Sequence, residues 1–336
     1  MARTHHRRTV LAALSAAALF ALAACASGGT ASPGSSGSGG GGGGKSVIKI
    51  GFAQVGAESG WRTANTQSIK DTLTKANGFD LKFSDAQQKQ ENQIQAIRSY
   101  IAQGVDVIAF SPVVESGWDA VLQEAKQAHI PVILTDRAVD VTDQSLYASF
   151  IGSDFVEEGK RVGEWVSQNL GTKPINVVQL EGTTGSAPAI DRKKGFEDAI
   201  KGNSNIKVID SQTGNFTRAE GKTVMEGFLQ AHKDINVVFA HNDDMALGAI
   251  EAIEAAGLKP GQDIKIVSID GVKDGMQALA DGKINYIVEC NPLLGPDLAD
   301  MAKKVVAGQT VDKRIVTHDD AFDQAAAKTA LPNRKY

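Results

Sequence analysis

The 336-residue sequence predicts an α/β protein built from two doubly wound parallel-sheet lobes. Three observations lead there. Short β-branched runs alternate with longer amphipathic ones, the pattern of parallel strands joined by crossover helices. The alternation restarts near the middle of the chain, which calls for two halves of similar size. The composition, 42% hydrophobic and 22% charged, is that of a folded body rather than a disordered or membrane-embedded one.

The elements begin after a leader. Arg3, Arg7 and Arg8 make a positive start, and Val10 to Ala24 is an uncharged Ala/Leu-rich run of 15 residues. That is short of the ~20 needed to span a bilayer. It ends in Leu22-Ala23-Ala24-Cys25, which resembles a lipobox, where cleavage before the cysteine accompanies acylation of its thiol. Ordinary cleavage after small residues is the alternative, and Arg7-Arg8 leaves twin-arginine export open. The expectation is a lipoprotein signal peptide over 1–24 and a lipidated Cys25 heading a tether over 25–45. Ten of the 35 glycines fall between Gly28 and Gly44, among Ser, Ala, Thr and Pro. Such a chain is a flexible leash of roughly 25 Å span. Removing 1–24 takes away three arginines and no acids, moving the formal charge from −4 to −7. The acidic balance argues against nucleic acid as a partner. Of the 2 cysteines, only Cys290 then remains as a thiol, so no intramolecular disulfide is expected.

In the body, strands are expected at Val47 to Phe52, Leu81 to Phe83, Val105 to Phe110 and Ile130 to Leu134. Helices are expected at Thr63 to Ala76, Glu91 to Gln103 and Trp118 to Ala128. The rhythm resumes with strands at Asn176 to Leu180, Ile206 to Ile209, Val237 to Ala240 and Ile264 to Ile269, each followed by a helical stretch. Ligands of such sheets bind beyond the carboxyl ends of the strands. The residues there are polar: Gln54 to Arg62, Asp85 to Gln90, Ser111, Asp136-Arg137, Glu181 to Asp191, His241 to Asp244, and Asp270.

Among these, Asp136-Arg137 offers an acceptor beside rigid donors, a pairing suited to vicinal hydroxyls. Capping of the following segment by Asp136 is the plain alternative. Asn242 leaves a strand end with both donor and acceptor, while Asp243 or Asp244 fits a helix N-cap. Asp270 precedes Gly271, which permits a tight turn. Trp61 beside Arg62 joins an aromatic face to fixed donors, a combination for sugars, although Trp61 could equally pack under the first helix. Gly182-Thr-Thr-Gly185-Ser186 sits where a phosphate loop would, yet lacks the Gly-Lys-Ser/Thr ending. His129, His232, His241 and His318 show no metal spacing. No cofactor is expected. Asp136 is coupled to Arg137, which favours a permanently ionised group over the general acid of a glycosidase.

At this point the residues carry a likeness. Ser59-Gly-Trp-Arg62, "QQKQENQI" at Gln87 to Ile94, "SPVVESGW" at Ser111 to Trp118, "AIDRKKGF" at Ala189 to Phe196, "AHNDDM" at Ala240 to Met245 and "SIDGV" at Ser268 to Val272 are spread along the body. From Val47 to Tyr336 the chain resembles the type I periplasmic sugar-binding proteins of ATP-driven importers, the ribose-binding family, and within it the galactofuranose-binding members most. The resemblance implies a three-strand hinge with crossings near Ser153, Asn291 and Asp320. The lobes would then be 46–152 with 291–319, and 153–290 with 320–336. It implies that Trp61 stacks on the sugar and Arg62 reaches a hydroxyl. Asp136 and Arg137 would bind ring hydroxyls from the first lobe. Arg192, Asn242 and Asp270 would answer from the second, with Phe216 closing the other face. The ribose-type pattern has two phenylalanines where this chain has Trp61-Arg62, which argues for a ligand with an additional polar arm. Cys290-Asn291 departs from the family pattern at the hinge, and Asn291 is the residue expected to reach the ligand there.

The expected function follows. It is a non-enzymatic receptor, lipid-anchored through Cys25 at the outer face of the cytoplasmic membrane. It would act as a monomer and capture a monosaccharide, galactofuranose or a related furanose or pentose. Permease and ATPase chains of an ABC importer are its implied partners. A sugar sensor for a signalling protein is the alternative, with a glycoside hydrolase further off. A sugar-responsive repressor fails, because its DNA-binding domain would stand where the leader does. Truncating Arg62 to Ala should weaken sugar binding at least about tenfold without lowering the melting temperature of the unliganded protein.

Overall fold

The computed structural model describes residues 47–336. The leader, Cys25 and the tether lie outside the described residues. The first sheet holds β1 (Ile48–Gln54), β2 (Phe79–Asp85), β3 (Val107–Phe110), β4 (Val132–Thr135) and β5 (Ser149–Gly152). The second holds β6 (Ile175–Glu181), β7 (Ile206–Thr213), β8 (Val237–Ala240), β9 (Lys265–Asp270) and β10 (Tyr286–Glu289). Two late strands exchange sides: β11 (Arg314–Val316) joins the first sheet and β12 (Ala321–Phe322) the second. The spatial orders are β11-β5-β4-β3-β1-β2 and β12-β10-β9-β8-β6-β7. All pairings are parallel except β12 on β10.

The parallel pairing explains the apolar runs. VIAF in β3, VILT in β4 and VVFA in β8 are buried at every position, as strands covered on both faces must be. Alternation then sorts their side chains into separate cores. Ile50, Phe52, Val107, Ala109 and Ile133 pack on one face of the first sheet. Ala53, Ile108, Phe110, Val132 and Leu134 pack on the other. The second sheet divides likewise, with Val178, Val238 and Ile266 in one cluster and Val177, Phe239 and Val267 in another.

Helices cover both faces. In chain order they are α1 (Gly60–Thr72), α2 (Gln90–Ala102), α3 (Asp119–Gln127), α4 (Phe155–Asn169), α5 (Ala187–Ile200), α6 (Arg218–Ala231), α7 (Asp243–Ala255), α8 (Lys273–Ala280), α9 (Gly295–Val306) and α10 (Gln324–Ala330). No helix among the described residues is long and apolar enough to cross a membrane. The chain passes between sheets after β5, after β10 and between β11 and β12. In each sheet the strand order reverses beside the first strand of its lobe, the switch point where ligands of such sheets bind.

Two differences from the sequence expectation matter. Helix α1 begins at Gly60 rather than Thr63, because the Ser59 hydroxyl accepts from the Arg62 amide (3.1 Å) and caps it. Trp61 and Arg62 therefore stand on a rigid first turn rather than in a loop. Strands β5, β10, β11 and β12 have no counterpart in the expected rhythm. β11 and β12 are three and two residues long, and β5 and β10 carry polar ends (Ser149, Glu289) that break the apolar runs marking the other four-residue strands.

Candidate functional site

A cleft partly open to solvent lies between the carboxyl ends of the two sheets. Glu58, Ser59, Trp61, Arg62, Asp136 and Arg137 line it from the first lobe. Pro188, Arg192, Phe216, Asn242, Asp270 and the hinge residue Cys290 line it from the other side. Of the nine residues singled out above for ligand contact, the cavity gathers every one except Asn291.

In the first lobe, Arg62 is the centre of a buried fork. Its Nε donates to Glu58 Oε1 (2.9 Å), Nη1 to Gln54 Oε1 (3.2 Å), and Nη2 to Asp136 Oδ2 (2.6 Å). The Ser111 hydroxyl also donates to Asp136 Oδ2, at 2.9 Å. Arg137 sends Nη1 to the Val113 carbonyl (3.2 Å) and lies 3.6 Å from both Glu58 and Asp136. Two guanidinium groups thus share two carboxylates. Burial opposes ionisation of Asp136, but Arg62 and Arg137 outweigh it and hold its carboxyl below the usual range. Arg137 is pushed down to about 10, by burial first and then by the like charge of Arg62.

The second lobe mirrors this arrangement. Arg192 Nε donates to Glu158 Oε2 (2.7 Å), its Nη1 to the His241 carbonyl (2.6 Å), and its Nη2 lies 3.8 Å from Asp270 Oδ1. Asn242 Oδ1 accepts from the Met245 amide (3.0 Å) and so caps α7, while Nδ2 donates to the Phe216 carbonyl (3.0 Å). Capping thus falls to Asn242 rather than to Asp243 or Asp244. Asp243 instead accepts from Ser268 and from the amides of Gly271 and Val272. Asp270 keeps one oxygen, Oδ2, without a partner, as does Glu58 with Oε2. Burial pushes the Asp270 carboxyl well up, against the pull of Arg192. A buried acceptor without a donor costs about 1–3 kcal/mol, so either oxygen would gain from a hydrogen-bond donor.

Two aromatic rings flank the polar groups. Trp61 donates Nε1 to the Cys290 carbonyl (2.6 Å), and its ring packs with second-lobe apolar groups while lining the cavity. Its apolar packing is thus against the second lobe rather than under the first helix. Phe216 lies under the Arg137 guanidinium, 5.2 Å from ring centre to Cζ. Its ring occupies the space that a side chain at 182 would need, since a Cβ on Gly182 would sit 1.9 Å from it. The Gly182 loop makes room for an aromatic ring, in keeping with its missing phosphate-loop ending.

Residues 50–310 match the model of a family described as a periplasmic binding protein domain. The chain belongs to that family. Among the relatives of this binding protein is the galactofuranose-binding protein YtfQ of Escherichia coli strain K12. It is 50% identical over 292 residues, covering 86% of this chain and 92% of the relative. A solved Mycobacterium smegmatis structure in complex with β-D-fucofuranose is 67% identical, with TM-score 0.84 over 86% of this chain and 95% of that one. The binding component of an arabinose ABC transporter from Shewanella sp. ANA-3, solved with α- and β-L-arabinofuranose, is 50% identical. Its TM-score is 0.82, over 86% and 96%.

The polar strand-end segments included Glu58, Ser59 and Pro188 without singling them out, and at the hinge of this binding protein Asn291 was chosen where Cys290 lines the cavity. The Asn291 side chain turns away to accept from the Leu293 amide (2.9 Å), and its own amide donates to Asp319 (2.9 Å). Successive residues of the extended hinge face opposite ways, so Cys290 rather than Asn291 meets the cavity. Glu58 carried a usable signal: it sits four residues before Arg62, in the polar segment after the first strand. Among the described residues no group of His, Cys, Asp or Glu gathers as a metal site.

Proposed function

We propose that this binding protein captures a monosaccharide in its furanose form, galactofuranose or a related furanose or pentose, between two closing lobes. The observation that carries the reading is the cavity itself. Guanidinium and carboxylate groups from both lobes converge on one cleft, with Trp61 and Phe216 at its walls. Hydrogen bonds to charged groups contribute about 1.5–3 kcal/mol each, so a few hydroxyls can offset the cost of closure. Only the closed state lets one ligand meet Asp136 and Arg137 together with Arg192, Asn242 and Asp270, which is how binding and closure become one event. Galactofuranose, fucofuranose and arabinofuranose in the names of the relatives support a five-membered ring.

In this reading the chain works as a monomer at the outer face of the cytoplasmic membrane, held by a lipid on Cys25 and the glycine-rich tether. The closed form delivers its sugar to permease and ATPase subunits of an ABC importer. Calorimetric titration against galactofuranose, arabinose, ribose and galactose tests it. A furanose-forming sugar is expected to bind with a stoichiometry of one. Absence of binding to every sugar would overturn the reading.

A further inference from the structure

We propose that Arg334 and Tyr336 are positioning residues of the sugar site, holding from outside the cavity the two backbone segments that present Asp270 and Cys290. The inference rests on the reading of the cavity as a sugar site. Asp270 has the weakest side-chain support of the site carboxylates. Its Oδ2 has no partner, and its nearest cation, Arg192, is 3.8 Å from Oδ1. The aim of its carboxylate must therefore be set by its backbone, which adopts a φ of 128°, rare for a residue with a side chain.

That backbone is clamped from behind. The Gly271 carbonyl accepts from Arg334 Nε at 2.5 Å. A Cβ on Gly271 would lie 2.5 Å from Arg334 Nη2, and Gly271 has a φ of +77°. Position 271 thus needs glycine twice over: for its own conformation, and to admit the guanidinium. The other nitrogen of the fork, Nη1, pairs with Glu289 Oε1 at 2.7 Å, both side chains being 9% exposed. The Tyr336 hydroxyl donates to the same oxygen and accepts from Arg334 Nη2 at 2.7 Å. Glu289 Oε2 accepts from the Asp320 amide, which ties in the third hinge crossing.

Glu289 immediately precedes Cys290, whose amide donates to the Asp270 carbonyl (3.1 Å) and whose carbonyl accepts from Trp61 Nε1 (2.6 Å). One guanidinium therefore braces the Asp270 turn directly. Through Glu289 it also braces the hinge segment on which the first-lobe Trp61 rests. Neither Arg334 nor Tyr336 lines the cavity. A planar fork that satisfies two acceptors in fixed directions suits this role better than a lysine would.

The test is a double-mutant cycle on the full chain, using whichever of galactofuranose, arabinose, ribose and galactose binds the wild type most tightly. Arg334→Ala should weaken binding about tenfold and Tyr336→Phe a few-fold, since Arg334 holds the Asp270 turn directly and Tyr336 acts only through Arg334 and Glu289. In an Asp270→Asn background both losses should shrink to the share that acts through Cys290 and Trp61, because the carboxylate they aim is gone. If Arg334→Ala does not fold, Tyr336→Phe and its pairing with Asp270→Asn carry the test. Lower melting temperatures with unchanged affinity would overturn the proposal, as would losses that add in full to that of Asp270→Asn. Wild-type protein that binds no sugar in the panel would overturn the functional reading and this proposal with it. Binding by the wild type with unaffected variants would remove this proposal alone.

Discussion

Asp136, Phe216 and Asp270 line the cavity with positive φ angles of 62°, 62° and 128°. Such conformations cost of order 1–3 kcal/mol each and persist where surrounding contacts enforce them. Asp136 is held by Arg62 and Ser111, and the protein gains a carboxylate aimed at the void. The same burial changes what Arg62→Ala should do. Truncation leaves Arg137, 3.6 Å away, as the one guanidinium beside Glu58 and Asp136, so a stability loss of about 1–3 kcal/mol accompanies the weaker binding. Chemical denaturation of the unliganded variant checks this, and it replaces the expectation of an unchanged melting temperature. Glu158 gives a pH prediction. Burial, with Asp319 adding to it against the pull of Arg192, raises its carboxyl from 4.5 to about 7. Between those values the folded chain keeps a proton that the unfolded chain has released. Stability should therefore fall as pH rises through that window and then level off. Glu158→Gln should lose that share of the slope, read from melting temperatures between pH 5 and 8. At this scale the strand ends pointed to Asp136, Arg137 and Asn242, whereas Arg192, inside α5, came only from the family resemblance. Cys290 against Asn291 was decided by which way an extended hinge residue faces, a parity that the letters do not carry.

Helices α4 and α5 cross so closely that their glycines set the geometry of the second-lobe site. A Cβ on Gly159 would lie 2.1 Å from the Arg192 carbonyl, and one on Gly195 would lie 2.0 Å from that of Val156. This contact places Glu158 of α4 against Arg192 of α5 at 2.7 Å. Gly195→Ala should force the helices apart, costing about 1–3 kcal/mol in urea unfolding and weakening sugar binding through Arg192. The long strands and amphipathic helices were legible from their periods. The edge strands were not, since β11 and β12 offer only three and two residues. The first-turn position of Trp61 and Arg62 depended on a single hydroxyl cap at Ser59, a local signal that the apolar pattern starting at Thr63 concealed.

Over the whole molecule, the two lobes touch through few direct bonds. The Gly60 amide donates to Asp244 (2.7 Å), the Glu115 amide to the Gly185 carbonyl (2.9 Å), and Arg137 lies over Phe216. The ligand is thus left to supply most of the polar bridges between the lobes. Sugar at a hundred times its dissociation constant should add about 2.7 kcal/mol of stability, visible as a raised melting temperature. Two lobes of this kind were readable from the restarting β/α rhythm, whereas their facing cavity required the folded chain. A crystal structure grown with the tightest-binding furanose tests the central claim most directly. The ring is expected between Trp61 and Phe216, with hydroxyls donating to Asp136 in one lobe and Asp270 in the other. A sugar bound outside this cavity, or held by one lobe alone, would contradict it.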